Sequence, residues 1–171
     1  MGLFDLFKKK SKKSTQQPVD VPKDNKKDTS VEKHKVTGTS HYIDNIMKFK
    51  VENVYYSETK KELIEDGLEN EKIFEYEFYP DKIELIPEPE NPHDPNAIKV
   101  VADSLLVGYI KAGSCAHIHN LLKNDRIVKI DYEMGGGNYK YLDCDEDEKY
   151  TLDKGKSPYF VDLFITVKNE Q

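Results

Sequence analysis

Cysteine is scarce in this 171-residue sequence: Cys115 and Cys144 are too few for a disulfide-dense secreted scaffold, and their separation resembles no CxxC zinc knuckle. No apolar run approaches the roughly 20 residues of a membrane span. The opening residues lack the apolar core and small-residue cleavage site of a signal peptide. These absences lead to the expectation of a reduced, cytoplasmic protein. Catalytic signatures are missing too: there is no P-loop, no dinucleotide fingerprint, no G-x-S-x-G elbow and no H-E-x-x-H. Gly135-Gly136-Gly137 lacks a following lysine and hydroxyl residue and reads as a turn. Cys115 and His119 share a helix face at four-residue spacing, but no third and fourth zinc ligands stand nearby. Asp143, Asp145 and Asp147 imitate the start of a calcium loop, yet Glu148 occupies the position needing glycine and Lys154 that of the bidentate glutamate. The expectation is a protein without catalysis, metal or cofactor.

Charge is unevenly spread. The formal net charge is -6, but residues 1–35 hold ten lysines against five acids, which leaves -11 on the remainder. An acidic body does not hold nucleic acid by bulk attraction, so any such site must be a small local patch. Met1-Gly2-Leu3-Phe4-Asp5-Leu6-Phe7 ahead of a lysine run would make, as a helix, a weak peripheral membrane anchor. From Ser11 to about Lys33 the chain has hardly any apolar side chain to offset the entropy of ordering, and it reads as a flexible linker. The expected organisation is a basic tail over residues 1–34 and one folded domain over 35–171, with an insertion around 43–70.

Within the body, Val36 to Tyr42 reads as a strand bending at Gly38. Thr59 is a candidate cap for a short helix that Gly67 closes. The period changes to two from Lys72 to Tyr79, and further strands are expected at Ile83–Ile86, Ala97–Val101 and Leu105–Ile110, with a tight turn at Asp103-Ser104. Gly113 to Asn124 reads as one helix. Arg126 to Met134, Tyr139 to Leu142 and Tyr159 to Val167 complete the strands, and the acidic run Asp143–Glu148 falls at a hairpin loop. The fold class is mainly β: a small barrel with one embedded helix and one short helical segment, closure being the way a small sheet avoids exposed edges.

One segment stands apart: Leu85-Ile86-Pro87-Glu88-Pro89-Glu90-Asn91-Pro92-His93-Asp94-Pro95-Asn96-Ala97-Ile98-Lys99-Val100, followed by Val107-Gly108-Tyr109-Ile110. Together with Val36-Thr37-Gly38-Thr39-Ser40-His41-Tyr42, it closely resembles the HIRAN domain, found attached to DNA remodelling ATPases and as small stand-alone proteins. The resemblance covers roughly residues 35–131. It implies an OB-like barrel and, in the best-understood relatives, a pocket for the 3′-hydroxyl end of single-stranded DNA. By that analogy His41 and Tyr42 stack on terminal bases, Asn91, His93 and Asp94 surround the terminus, and Tyr109 and Lys111 border the phosphate path. Ser40 stands where the family often has arginine, and Ala112 where DNA-binding relatives have a second basic residue. The stretch from Tyr42 to Leu85 is also longer than the family's short hairpin.

The same residues have a reading of their own. Four prolines stiffen the loop, and Asn91 and Asp94 suit it as caps through side-chain to backbone hydrogen bonds. Tyr42 and Tyr109 offer stacking faces that give affinity without sequence preference, or they pack at the barrel rim. The leading expectation is a non-catalytic module for single-stranded DNA ends with a free 3′-hydroxyl; the alternative is a protein-interaction adaptor that keeps the fold without end binding. A third class, metal-dependent cleavage of DNA, is motivated only by the many carboxylates and the family's DNA context.

Overall fold

A computed structural model describes residues 28–169. The tail, with its expected amphipathic anchor, lies largely outside these residues. Strand β1 (Thr29–Thr37) begins inside the stretch read as a tail. It is followed by a 3-10 turn (Thr39–His41), α1 (Ile43–Ile46), a 3-10 turn (Met47–Phe49), β2 (Lys50–Glu52), another 3-10 turn (Val54–Ser57) and α2 (Lys60–Glu65). Then come β3 (Lys72–Phe74), β4 (Tyr76–Phe78), β5 (Ile83–Pro87), β6 (Ile98–Ala102), β7 (Leu105–Ile110), α3 (Ala112–Lys123), β8 (Ile127–Cys144) and β9 (Tyr150–Lys168).

Seven strands pair in the order β3-β8-β9-β1-β7-β6-β5, and β2 and β4 form a separate pair. β1 is the joint: Thr29 to Lys35 pair with β9, and Val36 and Thr37 switch to β7. One core fills the space beneath both halves, with Ile46, Ile98, Val100, Val107, Ile118, Leu121, Leu163 and Ile165 fully buried. Helix α3 contributes Cys115, Ile118 and Leu121, spaced so that one stripe faces inward. Each such side chain adds about 1.5–3 kcal/mol by leaving water. The architecture is mainly β with helices, consistent with an OB-like fold. The strand order is linear, however, and the expected barrel closure is not found among the described residues. Its ends lie apart because β3 pairs with Tyr139–Tyr141, on the distal half of β8, whereas the approach to β5 meets the proximal half, where the Tyr132 hydroxyl donates to the Pro80 carbonyl at 2.6 Å.

Three local expectations are corrected. β1 ends at Thr37, not at Tyr42, because Gly38 turns left-handed (φ 76°), which places His41 in a 3-10 turn and Tyr42 at the cap that opens α1. The alternating run from Lys72 breaks at Glu75, whose amide donates to the Asn138 carbonyl and whose carbonyl accepts from the Asn53 amide, so its halves join different sheets. The three glycines do not end a strand either. β8 continues through them as a bulge, and a Cβ on Gly136 (φ 125°) would lie 2.5 Å from Tyr159 Cα, so only glycine fits.

The long insertion and the far half of the β8–β9 hairpin build a second, smaller core of Leu63, Ile73 and Leu142, with Tyr56, Leu68 and Leu152 packed around it. Thr59 caps α2 reciprocally: its hydroxyl accepts from the Glu62 amide and its amide donates to the Glu62 carboxylate at 2.8 Å. The acidic run tips the hairpin, where Asp145 Oδ1 accepts from the amides of Asp147 and Lys149.

Candidate functional site

The loop joining β5 to β6 carries four prolines in nine residues, Pro87 to Pro95, and therefore offers few amides. Those present are tied down. The Glu88 amide donates to the Ala97 carbonyl at 2.9 Å, closing the neck, and the amides of Asn91 and Ala97 donate to the carbonyls of Glu88 and Asp94. Asn91 Oδ1 accepts from the amides of His93 (2.9 Å) and Asp94 (3.1 Å), and Asp94 Oδ1 accepts from Asn96 (2.8 Å). Both acid and amide side chains thus serve as internal caps, and the loop keeps its shape without a hydrophobic core of its own.

Glu88 fastens this loop to the sheet. Its Oε2 accepts from Asn91 Nδ2 at 2.7 Å and from the Tyr109 hydroxyl at 3.1 Å, and its Oε1 pairs with Lys99 Nζ at 3.2 Å. The Asn91 amide, followed by Lys99 and Tyr109, holds the Glu88 carboxyl below its ordinary range against the opposing effect of burial. Burial, followed by the hydrogen bonds of Tyr42 and Glu88, pushes the Tyr109 phenol up, so it stays a protonated donor. The Tyr109 ring stands 6.3 Å from that of Tyr42 at an interplanar angle of 50°. Gly108 lets β1 and β7 approach: a Cβ there would sit 2.5 Å from Val36 Cγ1.

Tyr42, Asn91, His93, Asp94 and Tyr109 line one open cleft of about 350 Å³, together with Thr37 and the start of α3 at Ala112. Five of the seven candidate residues therefore meet at one place. His41 and Lys111 are exposed and do not line it; the His41 ring stands edge-on to Tyr42 at 6.5 Å. Ala112, which replaces an expected basic residue, faces the cleft, and the N-terminus of α3 beside it has no side-chain cap. Glu88 and Thr37 were not among the candidates. Glu88 lies in a run of alternating prolines and acids, and nothing short of the strand register shows that Tyr109 and Lys99 converge on it.

The remaining motif residues are otherwise engaged. Cys115 is buried, with Sγ 3.6 Å from the carbonyl oxygens of Ile110 and Lys111, while His119 Nε2 meets the Asn96 carbonyl at 2.9 Å. Among the described residues no cluster of three or more histidine, cysteine, aspartate or glutamate side chains is placed to hold a metal ion, and no helix is long and apolar enough to cross a membrane.

Comparison with family models gives a match to the one described as HIRAN domain over residues 35–133, more than half of the chain. No curated protein and no solved structure matches the chain.

Proposed function

The chain belongs to the HIRAN domain family, and from that premise we propose that it is a non-catalytic module that binds the 3′-hydroxyl end of single-stranded DNA. The observation that carries this reading is the convergence of two tyrosine rings and the capped Asn91–Asp94 loop on one open cleft. Half-buried rings offer faces on which a terminal base stacks whatever its identity. Asp94 commits Oδ1 to the Asn96 amide, but a carboxylate has lone pairs enough to accept from a terminal hydroxyl as well. A 3′-phosphate at that position would meet the same carboxylate as a like charge. Asn91, whose amide oxygen and nitrogen are both used inside the loop, holds Asp94 in place. With Ala112 in place of a base, the uncapped amides at the start of α3 and the neighbouring Lys111 supply the positive potential for a phosphate.

The test is equilibrium binding of a fluorescent single strand ending in a free 3′-hydroxyl, against the same strand ending in 3′-phosphate and against a blunt duplex. The free end should bind about tenfold more tightly than the phosphorylated one. Tyr42→Ala should weaken binding by about 1–3 kcal/mol, roughly 5- to 150-fold, and leave the fold intact. Equal affinity for all three DNAs, or folded Tyr42→Ala and Asp94→Ala variants that bind like the wild type, would sink the assignment.

The adaptor reading has one observation of its own. Val51, Val54, Tyr55 and Tyr79 are exposed on and around the β2–β4 pair. No binding of any single strand at low salt would make a protein partner at this apolar surface the better account.

A further inference from the structure

We propose that a single strand seated in the end cleft continues over the Thr39–His41 turn into a second groove, built by the C-terminal strand, which holds the nucleotides upstream of the terminal ones. This rests on the end-binding reading. Two adjoining clefts of about 600 and 360 Å³ share Thr39, Ser157, Pro158 and Tyr159, and so lie between the turn and β9. The turn connects them to the end cleft: Tyr42 lines the one, and its neighbours Ser40 and Ile43 line the other. The turn is fastened to the groove wall, since Thr39 Oγ1 donates to the Tyr159 carbonyl at 2.9 Å.

The groove exists because two strands part company. Pairing of β1 with β9 stops at Lys35 and Asp162, so residues 157–161 of β9 have no partner strand on that side among the described residues. Just there the register of β8 against β9 shifts between Gly135 and Gly137, which bends the hairpin. The family match ends at residue 133, so this wall lies outside the matched residues.

Its chemistry suits a phosphate-bearing strand. Exposed Lys35 and Lys156 stand at its borders, Ser40 and Ser157 bring hydroxyls, and Ile43 and Pro158 bring apolar surface against which bases can lie. The carboxylate among the lining residues, Asp162, is neutralised by Lys33 at 2.8 Å. Beside a body of charge -11 beyond residue 35, Lys35 and Lys156 with these hydroxyls form the kind of local patch that backbone contact requires.

The experiment uses the full chain and two oligonucleotides with free 3′-hydroxyl ends, a dinucleotide and a hexanucleotide, titrated across a range of salt. The hexanucleotide should bind about tenfold more tightly than the dinucleotide. Lys35→Ala with Lys156→Ala should abolish that gain, keep the dinucleotide affinity within about twofold, and reduce the salt slope for the hexanucleotide by about 1.4, or about 0.7 for each phosphate no longer neutralised. Lys61→Ala with Lys149→Ala, exposed lysines of the smaller core and hairpin tip, serves as the charge-matched control and should leave the slope unchanged. A dinucleotide that binds as well as the hexanucleotide, or two lysine pairs with equal effects, would overturn the groove and spare the end cleft. Binding of neither oligonucleotide would overturn both.

Discussion

The β5–β6 loop and the far half of the β8–β9 hairpin are both excursions from the main sheet, and they are held in opposite ways. The loop buries little apolar surface; prolines restrict it, and Asn91, Asp94 and Glu88 satisfy its amides and fasten it to Tyr109 and Lys99. The hairpin arm is held by burial, with Leu63, Ile73 and Leu142 forming a small core under the insertion. A polar frame presents side-chain oxygens and ring faces to solvent in fixed positions, which a ligand can use. An apolar core hides its residues and contributes stability. The two regions should accordingly respond to substitution along different axes, one in affinity and the other in stability.

The largest effect is expected from Leu63→Ala. Removing a fully buried side chain from the smaller core should cost about 2–5 kcal/mol. Denaturant unfolding would measure the loss, and end binding of the still-folded protein should stay within about twofold of wild type. A large loss of affinity would show that the arm and the cleft are one unit.

Gly136→Ala strikes where the two halves of the hairpin meet. The new Cβ would press on the Tyr159 backbone at a φ that L residues rarely adopt, which should cost about 1–3 kcal/mol. Thermal unfolding reads this, and no change in Tm would mean that the bulge relaxes freely. Next in size is Asn91→Ala. It strands the amides of His93 and Asp94 and removes a donor from Glu88, so it should cost about 1–2 kcal/mol of stability, as loss of a cap does. Here affinity for the free 3′ end should fall as well. A destabilised protein with undiminished binding would separate the loop's shape from recognition.

How much of this was legible in the sequence divides along the same line. The motif loop is dense in prolines and short polar side chains, each with a local conformational meaning, so its stiffness and its capping by Asn91 and Asp94 could be anticipated, whereas a shared site for these residues was implied only by the family resemblance. The capped helix after Thr59, the Asp103-Ser104 turn and α3 were legible for the same reason: their signals lie within a few residues of the structure they produce. Elements decided by distant partners were not. The run from Lys72 alternates without a break, and only the hydrogen bonds of Glu75 to Asn138 and Asn53 divide it between two sheets. Three consecutive glycines suit a turn as well as a bulge, and Tyr159 on the opposite strand decides between them. Barrel closure was expected from the family resemblance and from edge avoidance, neither of which says where a three-residue strand such as β3 will pair.

The smallest effect, and the sharpest contrast, comes from two glutamates. In the arm, burial first, and then the charges of Asp66 and Glu62, raise the carboxyl of Glu58, whose Oε2 is buried with no hydrogen-bond partner among the described residues. In the loop, the Asn91 amide heads the interactions that lower Glu88. Below neutral pH and above the ordinary glutamate value of 4.5, the folded protein therefore binds a proton at Glu58 before the unfolded chain would, and acidification through that interval strengthens the fold. Glu88 acts in the other sense: its contribution is complete above 4.5 and is lost only as the pH falls through its lower folded value. NMR titration of the two carboxyl carbons should place the Glu58 midpoint above 4.5 and that of Glu88 below it. Glu58→Gln should remove the gain on mild acidification, since an amide needs no proton to become neutral, and Glu88→Gln should leave that gain in place. Coincident midpoints would mean that solvent reaches both carboxylates alike, and the distinction between a polar frame and a buried core would then not extend to their charges.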